Sequence, residues 1–364
     1  GIGSKTFGSF GNSNFQSAFM GITAAAALTL VIYSKIKIYL KAGLFILTCL
    51  AIYNVFLSSE QGYFNFVVGI AAATIIFLFK SRKPVLGWIA LAGSSISVLF
   101  LLLGILKVGP LAAFIFKSSL FARWFYWQAA GKMMIDHPFF GVGMDGYGDA
   151  YMRSRPASFY SSGFFQLTDT AHSIPLDIGS NGGFPLFIAY VAIIFFAVLS
   201  IVRIMKRKTE FDVVFATIVA AWVAYQAQSL ISINQLGLGV WGWTLSGLII
   251  GYELNTRRDV VEGNPKAAPR GKASVQKISA LAVITTFIAT GAGIAAALPP
   301  YLAANKFYVA LQSGDAEIIQ PAAYLKPYDR ARFSYVAQLL EVNKLESRAI
   351  TVLRDATEIY PDSI

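Results

Sequence analysis

Long apolar segments alternate with short polar connections over most of the chain. A helix needs about 20 predominantly apolar residues to cross a bilayer, and stretches of this kind recur along the sequence. The pattern therefore predicts an all-α, polytopic transmembrane helical bundle of about eight spans. The expected spans lie near residues 15–33, 42–57, 63–79, 84–106, 183–202, 211–231, 236–253 and 278–299.

The composition agrees with a membrane protein. Hydrophobic residues make up 56% of the chain and charged residues 13%, whereas soluble domains carry about 25% charged residues. The mean hydropathy of +0.59 also favours this class.

Two long polar stretches interrupt the pattern and divide the chain into domains. A polar and aromatic loop, 107–182, lies within a membrane domain of residues 1–254. Residues 255–277 are rich in Pro, Gly, Lys and Arg, which is typical of a flexible linker, and a last transmembrane helix is predicted over 278–300. No basic leader precedes the first span, so we expect further spans upstream of residue 1 in the full protein.

Residues 301–364 have the apolar spacing of paired amphipathic helices. Lys326-Pro327 and Tyr360-Pro361 stand 34 residues apart, which is the period of a tetratricopeptide repeat. One and a half to two such repeats fit the segment, and the alternative is a generic helical hairpin. In either case we expect a helical module that could hold a protein partner.

Lysine and arginine residues collect in alternate connections. The formal net charge is +11, but 16 of the 30 Lys and Arg residues are divided among four short segments: 35–41, 80–83, 203–208 and 257–277. The positive-inside rule assigns these segments to the cytoplasm, which puts loop 107–182 and the C-terminal module on the external side. Nucleic-acid binding would require a contiguous basic patch, so the pattern argues against that class.

The two histidines of the chain, His137 and His172, both lie in loop 107–182. His137 precedes Pro138 and a glycine-rich turn, and we expect it to shape that turn. His172 stands just before the next span, at the predicted external mouth of the bundle. With a usual pKa of about 6.5, a histidine there can accept a proton from a sugar hydroxyl. The alternative is a histidine that only caps a helix or forms an interfacial hydrogen bond.

Arg123 lies in an aromatic segment, residues 119–134, that has the length and composition of a helix in the membrane interface. Its planar guanidinium could bind a diphosphate through paired hydrogen bonds. It could equally extend to lipid phosphates. The residues alone leave both interpretations open.

A second polar group follows the sixth predicted span and consists of Gln228, Ser229, Ser232, Asn234 and Gln235. Polar residues at membrane depth either line a cavity or join helices through hydrogen bonds. If a cavity is present, the predicted topology puts these side chains on the same side as Gln61 and His172.

Sequence motifs for other enzyme classes are absent. The chain has no Cys/His set for zinc, no phosphate-binding loop ending in Gly-Lys-Ser/Thr and no His-Glu-x-x-His. The carboxylates Asp145, Asp149 and Asp169 do not have the spacing of a calcium-binding loop. We therefore predict neither a metal nor a cofactor.

Four segments in order resemble the O-antigen ligase and polymerase superfamily. They are Phe10-Gly11-Asn12-Ser13-Asn14-Phe15, then Arg123-x-x-x-Trp127, then Asp136-His137-Pro138-Phe139-Phe140-Gly141-Val142-Gly143, then Asp169-x-Ala171-His172-Ser173-x-x-Leu176 with Gly183. The resemblance extends over essentially the whole chain, including the C-terminal module that some family members carry.

The resemblance implies a metal-independent, inverting glycosyltransferase of the C-type membrane architecture in the bacterial cytoplasmic membrane. Such enzymes transfer a glycan from an undecaprenyl-diphosphate carrier to a glycan, lipid or protein acceptor on the external face. Arg123 matches the family arginine that neutralises the diphosphate, and His172 matches the histidine that activates or orients the acceptor hydroxyl. The residues expected to bind substrate are Gln61, Trp127, Asp169, Asn234 and Gln235.

Three positions depart from the family pattern. Gln61 stands where many relatives have an arginine, Ser173 replaces an asparagine, and Asn181 replaces a glutamate. Two other functions therefore stay open: a transporter of lipid-linked glycans, and a non-catalytic scaffold that recruits a partner through residues 301–364. The presence of both Arg123 and His172 favours the enzyme, while ligase and polymerase are not distinguished.

Overall fold

The structure is a computed structural model that describes residues 10–81, 83–105, 108–110, 118–163, 166–261 and 280–361. Within these ranges it contains helices and no β-strand, which confirms the prediction of an all-α polytopic protein. The chain forms two compact units, Gly1–Ala267 and Ala268–Ile364.

The first unit contains nine described α-helices: α1 (Ser13–Tyr33), α2 (Ile38–Ser58), α3 (Gln61–Lys80), α4 (Pro84–Ile105), α5 (Ser118–Asp136), α6 (Tyr147–Ser154), α7 (Ile174–Arg207), α8 (Val213–Ser229) and α9 (Leu236–Val261). The second contains four: α10 (Ala280–Ser313), α11 (Ala316–Ala322), α12 (Arg330–Val342) and α13 (Glu346–Ile359).

Six of the described helices are long and apolar enough to cross a membrane, so the protein is a multi-pass membrane protein. They are α1, α2, α3, α4, α7 and the part of α10 from Val283 to Ser313, and they correspond to six of the eight predicted spans. The other two predicted spans are also helices. However, α8 has only 17 residues, and the glycines and tryptophans of α9 lower its hydropathy.

Helices α1, α3 and α8 pack closely because small residues stand at their contacts. A Cβ atom added to Gly21 of α1 would collide with the Gly62 carbonyl of α3, and one added to Gly69 would lie 2.7 Å from the Ala25 Cβ. The Gly62 amide donates to the Ser17 hydroxyl at 2.9 Å. Side chains from α7 and α9 complete the apolar core of this bundle.

The basic ends of α3 and α7 and the beginning of α8 meet at one end of the bundle, here called the basic end. The Lys80 ammonium of α3 donates to the Lys208 carbonyl at 2.5 Å. Asp212 accepts hydrogen bonds from the Val214 and Phe215 amides at 3.1 Å each, which caps α8, and it pairs with the Lys208 ammonium. This grouping agrees with a topology in which these connections share one side of the membrane.

A buried carboxylate joins α9 to α7 at the basic end. Glu253 is 1% exposed and forms ion pairs with Arg207 at 2.6 Å and with Arg257 at 2.8 Å. Because Arg257 pairs one turn after Glu253 and the helix continues to Val261, the predicted linker is helical over residues 255–261. The remainder of the linker, residues 262–277, lies outside the described part of the chain.

Residues 118–173, here called the loop unit, form a small folded body with its own core. The core consists of Ala122, Phe125, Tyr126, Ala129, Ala130, Met133, Tyr147, Tyr151, Phe159 and Ala171. The pattern predicted α5 as an interfacial helix with its aromatic rings at the headgroups. Phe125 and Tyr126 are buried in this core, whereas Trp124 and Trp127 are half-buried, and the placement of α5 in the membrane interface stays a prediction.

The second unit has its core between α11, α12 and α13, around Phe333, Val336, Leu340 and Val352. Helix α10 continues without a break through Pro299 and Pro300 to Ser313, so the predicted boundary at residue 300 lies inside a helix. The tetratricopeptide assignment of this helical unit stays a prediction.

Candidate functional site

Arg123 lies on α5 with its guanidinium largely inside the loop unit. Its Nε is buried and has no hydrogen-bond partner. Burial lowers the pKa of Arg123, yet an arginine side chain stays charged because its ordinary pKa exceeds 12. A buried, charged donor without a partner is costly, so the arrangement favours an anion that completes the hydrogen bond.

Tyr126 connects Arg123 to His172. Its ring centroid lies 5.2 Å from that of the His172 imidazole. Burial raises the pKa of Tyr126, and the nearby charge of Arg123 opposes this shift. The positive charge of Arg123 also lowers the pKa of His172. The structure thus brings the two predicted catalytic residues into one group around α5.

The surroundings of His172 favour its neutral imidazole form. Its Nδ1 lies 3.1 Å from the Thr170 hydroxyl and 3.4 Å from the Thr170 carbonyl oxygen. Because a carbonyl only accepts, this contact favours the tautomer with the proton on Nδ1 and the lone pair on Nε2. Burial lowers the pKa of His172 and the charge of Arg123 adds to this effect, whereas the Thr170 carbonyl and Asp169 oppose it.

The backbone around His172 is fixed by Asp177, which was not among the predicted site residues. His172 has a φ of 51°, in the left-handed region that non-glycine residues adopt at a cost. The Ala171 amide donates to Asp177 Oδ1 at 3.0 Å, and the Asp177 amide donates to the Ser173 carbonyl at 2.8 Å. The available signal was an acidic residue in the first turn of the following helix.

The glycine-rich turn after α5 locks the loop unit onto a break in α7. Gly183 has φ 70° and ψ −174°, which interrupts the helix. The Val142 amide donates to the Ser180 carbonyl at 2.8 Å, and the Phe184 amide donates to the Pro138 carbonyl at 2.8 Å. His137 accepts from the Gly141 amide with its carbonyl at 2.9 Å while its side chain is exposed, in agreement with a role in the turn.

The five predicted substrate-binding residues fall into two groups. Trp127 lies four residues after Arg123 with its indole Nε1 buried and unpaired, and Asp169 is exposed near His172. Gln61 begins α3 with a buried, unpaired Nε2. In the described part of the chain, no hydrogen bond or ring contact joins Gln61 to the loop unit.

Asn234 and Gln235 lie before α9, also apart from the loop unit. The Gln235 side-chain oxygen accepts from the Leu238 amide at 3.0 Å, so it caps α9 and is already engaged. Asn234 is exposed. The turn therefore uses one of these two amides structurally and leaves the other accessible.

Two further amides, Asn65 of α3 and Gln228 of α8, are fully buried without a partner for any of their side-chain nitrogen and oxygen atoms. Gly69, one turn after Asn65, is packed against Ala224, one turn before Gln228. Since α3 and α8 run in opposite directions, both amides lie on the same side of this contact, toward Gln61. Asn65 was not predicted, although its four-residue spacing from Gln61 and Gly69 is visible in the sequence.

The fold and this arrangement define a class: a multi-pass membrane protein with a folded loop unit that holds an arginine and a histidine around an aromatic core. Residues 45–191, from α2 to α7, match the profile of the O-antigen ligase family. The matched segment contains Gln61, Arg123, Trp127, Asp169 and His172. It supports a membrane glycan-transfer role of the ligase or polymerase kind. No curated protein matches the chain.

Proposed function

We propose that this protein transfers a glycan from an undecaprenyl-diphosphate-linked donor to an acceptor hydroxyl on the external face of the bacterial cytoplasmic membrane. In this proposal it is an inverting, metal-independent ligase or polymerase. The family match supports the general role. The observation that most supports the mechanism is that Arg123, with an unpaired buried donor, acts electrostatically on both Tyr126 and His172, whose rings are in contact.

The proposed step needs a general base for the acceptor hydroxyl and a positive group that stabilises the leaving diphosphate. The acceptor oxygen attacks the anomeric carbon of the donor and gives its proton to His172 Nε2. The bond between that carbon and the diphosphate oxygen breaks, and attack from the opposite side inverts the configuration. The leaving polyprenyl diphosphate carries the negative charge, which Arg123 stabilises.

Neutral groups suit the sugar part of the substrate. Side-chain amides both donate and accept hydrogen bonds, so Gln61 matches the hydroxyl groups of a glycan. Asn234 is an accessible amide of the same kind, and Asp169 is an accessible hydrogen-bond acceptor near His172. Trp127 offers an indole N–H beside the diphosphate-binding arginine.

The two histidines allow a matched test of this proposal. Cells that lack the gene are complemented with wild type, His172→Ala or His137→Ala, and surface glycan is profiled by size. We expect His172→Ala to abolish transfer at unchanged membrane insertion, while His137→Ala retains it because the turn uses only the backbone of His137. Equal glycan with both variants would contradict the catalytic role.

The same profile separates the remaining possibilities. Loss of a polymerase leaves single repeat units attached, whereas loss of a ligase leaves unattached chains. A transporter would not join donor to acceptor when both are supplied to the purified protein, so transfer by the purified protein would exclude transport as its sole role. A scaffold that acts on a partner through residues 301–364 would lose function on their deletion and tolerate His172→Ala.

A further inference from the structure

The end of α5 and the turn after it expose four large apolar side chains. Ile135 is 72% exposed, Phe139 71%, Phe140 86% and Met144 96%. On α5 itself, Phe125 and Tyr126 are buried in the loop unit, and Trp124 and Trp127 are half-buried. The exposed apolar surface at this point therefore lies at the last residues of α5 and in the turn, beyond the segment 119–134 that the sequence pattern assigned to the interface.

The turn that carries the exposed phenylalanines is held in place by backbone contacts with α7. Besides the hydrogen bonds of Val142 and Phe184, the Gly143 amide donates to the Asn181 carbonyl at 3.1 Å. A Cβ atom on Gly141 would collide with the Ser180 carbonyl, and one on Gly183 would lie 2.7 Å from the Phe139 carbonyl carbon. The turn and the break in α7 are thus packed backbone against backbone, which fixes the position of the turn that carries the two phenylalanine rings.

The neighbouring part of α7 indicates what covers these side chains. Phe184, whose amide holds Pro138, begins the long apolar stretch of a candidate membrane span. Leu186 and Ile188 on that stretch are 51% and 62% exposed, as expected of residues that face lipid. The apolar surface of the turn is therefore continuous with the lipid-facing surface of a spanning helix.

A charged pair stands just before the apolar residues. Lys132 and Asp136, one turn apart at the end of α5, form an exposed ion pair at 2.7 Å. An apolar tip next to exposed charges is the pattern of segments that rest at the boundary between headgroups and acyl chains. Lipid fits this surface better than a second protein, because the apolar side chains stand at the level where α7 enters its apolar stretch.

We propose that Ile135, Phe139, Phe140 and Met144 insert into the bilayer beside α7 and act as an anchor that sets the depth of the loop unit. The loop unit is locked to the same turn, so its height above the acyl chains follows from the insertion. The consequence for Arg123, that it is held at the level of a lipid-borne diphosphate, rests on the proposed function. The insertion itself does not.

Depth-dependent fluorescence quenching tests the insertion without any glycan. The sole cysteine, Cys49, is replaced by alanine, and single cysteines are introduced by Met144→Cys or, as a control, by Ser161→Cys at another exposed position of the loop unit. The full chain is labelled with a small fluorophore in nanodiscs of phosphatidylethanolamine and phosphatidylglycerol. The quenchers are iodide in water and lipids that carry a spin label near the headgroup or near the acyl-chain end.

We expect the label at position 144 to be quenched by the spin label near the headgroup and protected from iodide, and the label at 161 to show the reverse. Equal iodide quenching at both positions would overturn the proposal. Protection from iodide without lipid quenching, together with energy transfer between differently labelled copies, would also overturn it and would assign the surface to a second copy of the chain.

A second pair of variants separates insertion from folding. Phe139→Ser combined with Phe140→Ser should abolish lipid quenching at position 144, while Phe139→Leu combined with Phe140→Leu should retain it. Both proteins must elute as monodisperse species with wild-type circular dichroism, and unchanged quenching in the serine variant of such a protein would contradict the anchor. If quenching follows this pattern but His172→Ala leaves glycan transfer intact, the anchor stands and the proposed function fails.

Discussion

Two regions of the first unit use arginine in opposite ways. At the basic end, Arg207 and Arg257 both pair with Glu253, which is almost completely buried. In the loop unit, Arg123 has a buried Nε with no hydrogen-bond partner, and none of the described acidic side chains forms an ion pair with it.

The difference separates arginines that hold the fold from one that is available to a ligand. A charge that is paired inside the protein has its desolvation cost offset by its partner. Arg123 carries that cost without a partner and gains most from an anion that enters the site. The predictions below test this contrast, beginning with the largest expected effect.

Loss of the unpaired arginine should affect transfer and not the fold. Removal of a donor aimed at developing negative charge costs about 100- to 1,000-fold in kcat, and we expect Arg123→Ala to fall in that range. The measurement is the initial rate of glycan transfer by purified protein in nanodiscs, with thermal unfolding recorded in parallel.

A lysine on the same helix serves as the matched control. Lys132 forms an exposed pair with Asp136, and such pairs contribute about 0.2–1 kcal/mol, so Lys132→Ala should retain both rate and stability. If Arg123→Ala instead lowered stability and left the rate unchanged, Arg123 would belong with the structural arginines.

Loss of the buried carboxylate should affect the fold first. Hydrogen bonds to charged groups contribute about 1.5–3 kcal/mol. We expect Glu253→Gln to lower the free energy of unfolding by no more than this range, because the two arginines that lose their partner are partly exposed and regain water. Denaturant titration in detergent measures the change. A variant as stable as wild type would show that these pairs contribute little.

The glycine at the helix break should matter through the attachment of the loop unit. Gly183→Ala places a Cβ atom at a φ of 70° and 2.6 Å from the Pro138 carbonyl oxygen, so we expect a loss of about 1–3 kcal/mol in the free energy of unfolding. Gly131→Ala is the control, because a Cβ there meets nothing and an alanine inside a helix is favoured by about 0.5–1 kcal/mol. Similar effects of both substitutions would argue against a fixed attachment.

The acidic limb of the pH profile should report the environment of His172. Its pKa is lowered by burial, so the neutral imidazole persists below the usual value of about 6.5, and the transfer rate should fall about tenfold per pH unit only below the lowered value. The charge of Arg123 contributes to the shift, so the residual activity of Arg123→Gln should have its acidic limb at higher pH. An acidic limb that moved to lower pH would contradict this coupling.

The free energy of unfolding should also decrease as the pH falls, as the transfer rate does. As pH falls, the unfolded chain binds a proton at this histidine before the folded protein does. The contribution of His172 to stability is therefore complete above about pH 6.5 and is lost as pH falls from there to the lowered pKa. A His172→Gln variant should lack this part of the pH dependence in thermal unfolding.

Part of the site was accessible from the sequence because it depends on local patterns. Arg123 and His172 are scarce residue types in a single polar loop, and the structure places both beside Tyr126. The role of Pro138 and the following glycines in a turn was also visible, since these residues restrict or free the backbone locally. Asp177 and Asn65 were missed because their importance lies in contacts with other segments, the Ala171 amide and the packing of α3 on α8.

The sequence alone determined the membrane-protein class and six of the spans, because crossing a bilayer requires length and apolarity within one continuous segment. Only the tertiary structure decided which aromatic residues face inward, that Gln235 caps α9, that Arg123 has no partner while Arg207 and Arg257 share one, and that Phe139 and Phe140 are the exposed rings. Burial and pairing depend on residues far apart in the chain, and no local pattern contains them.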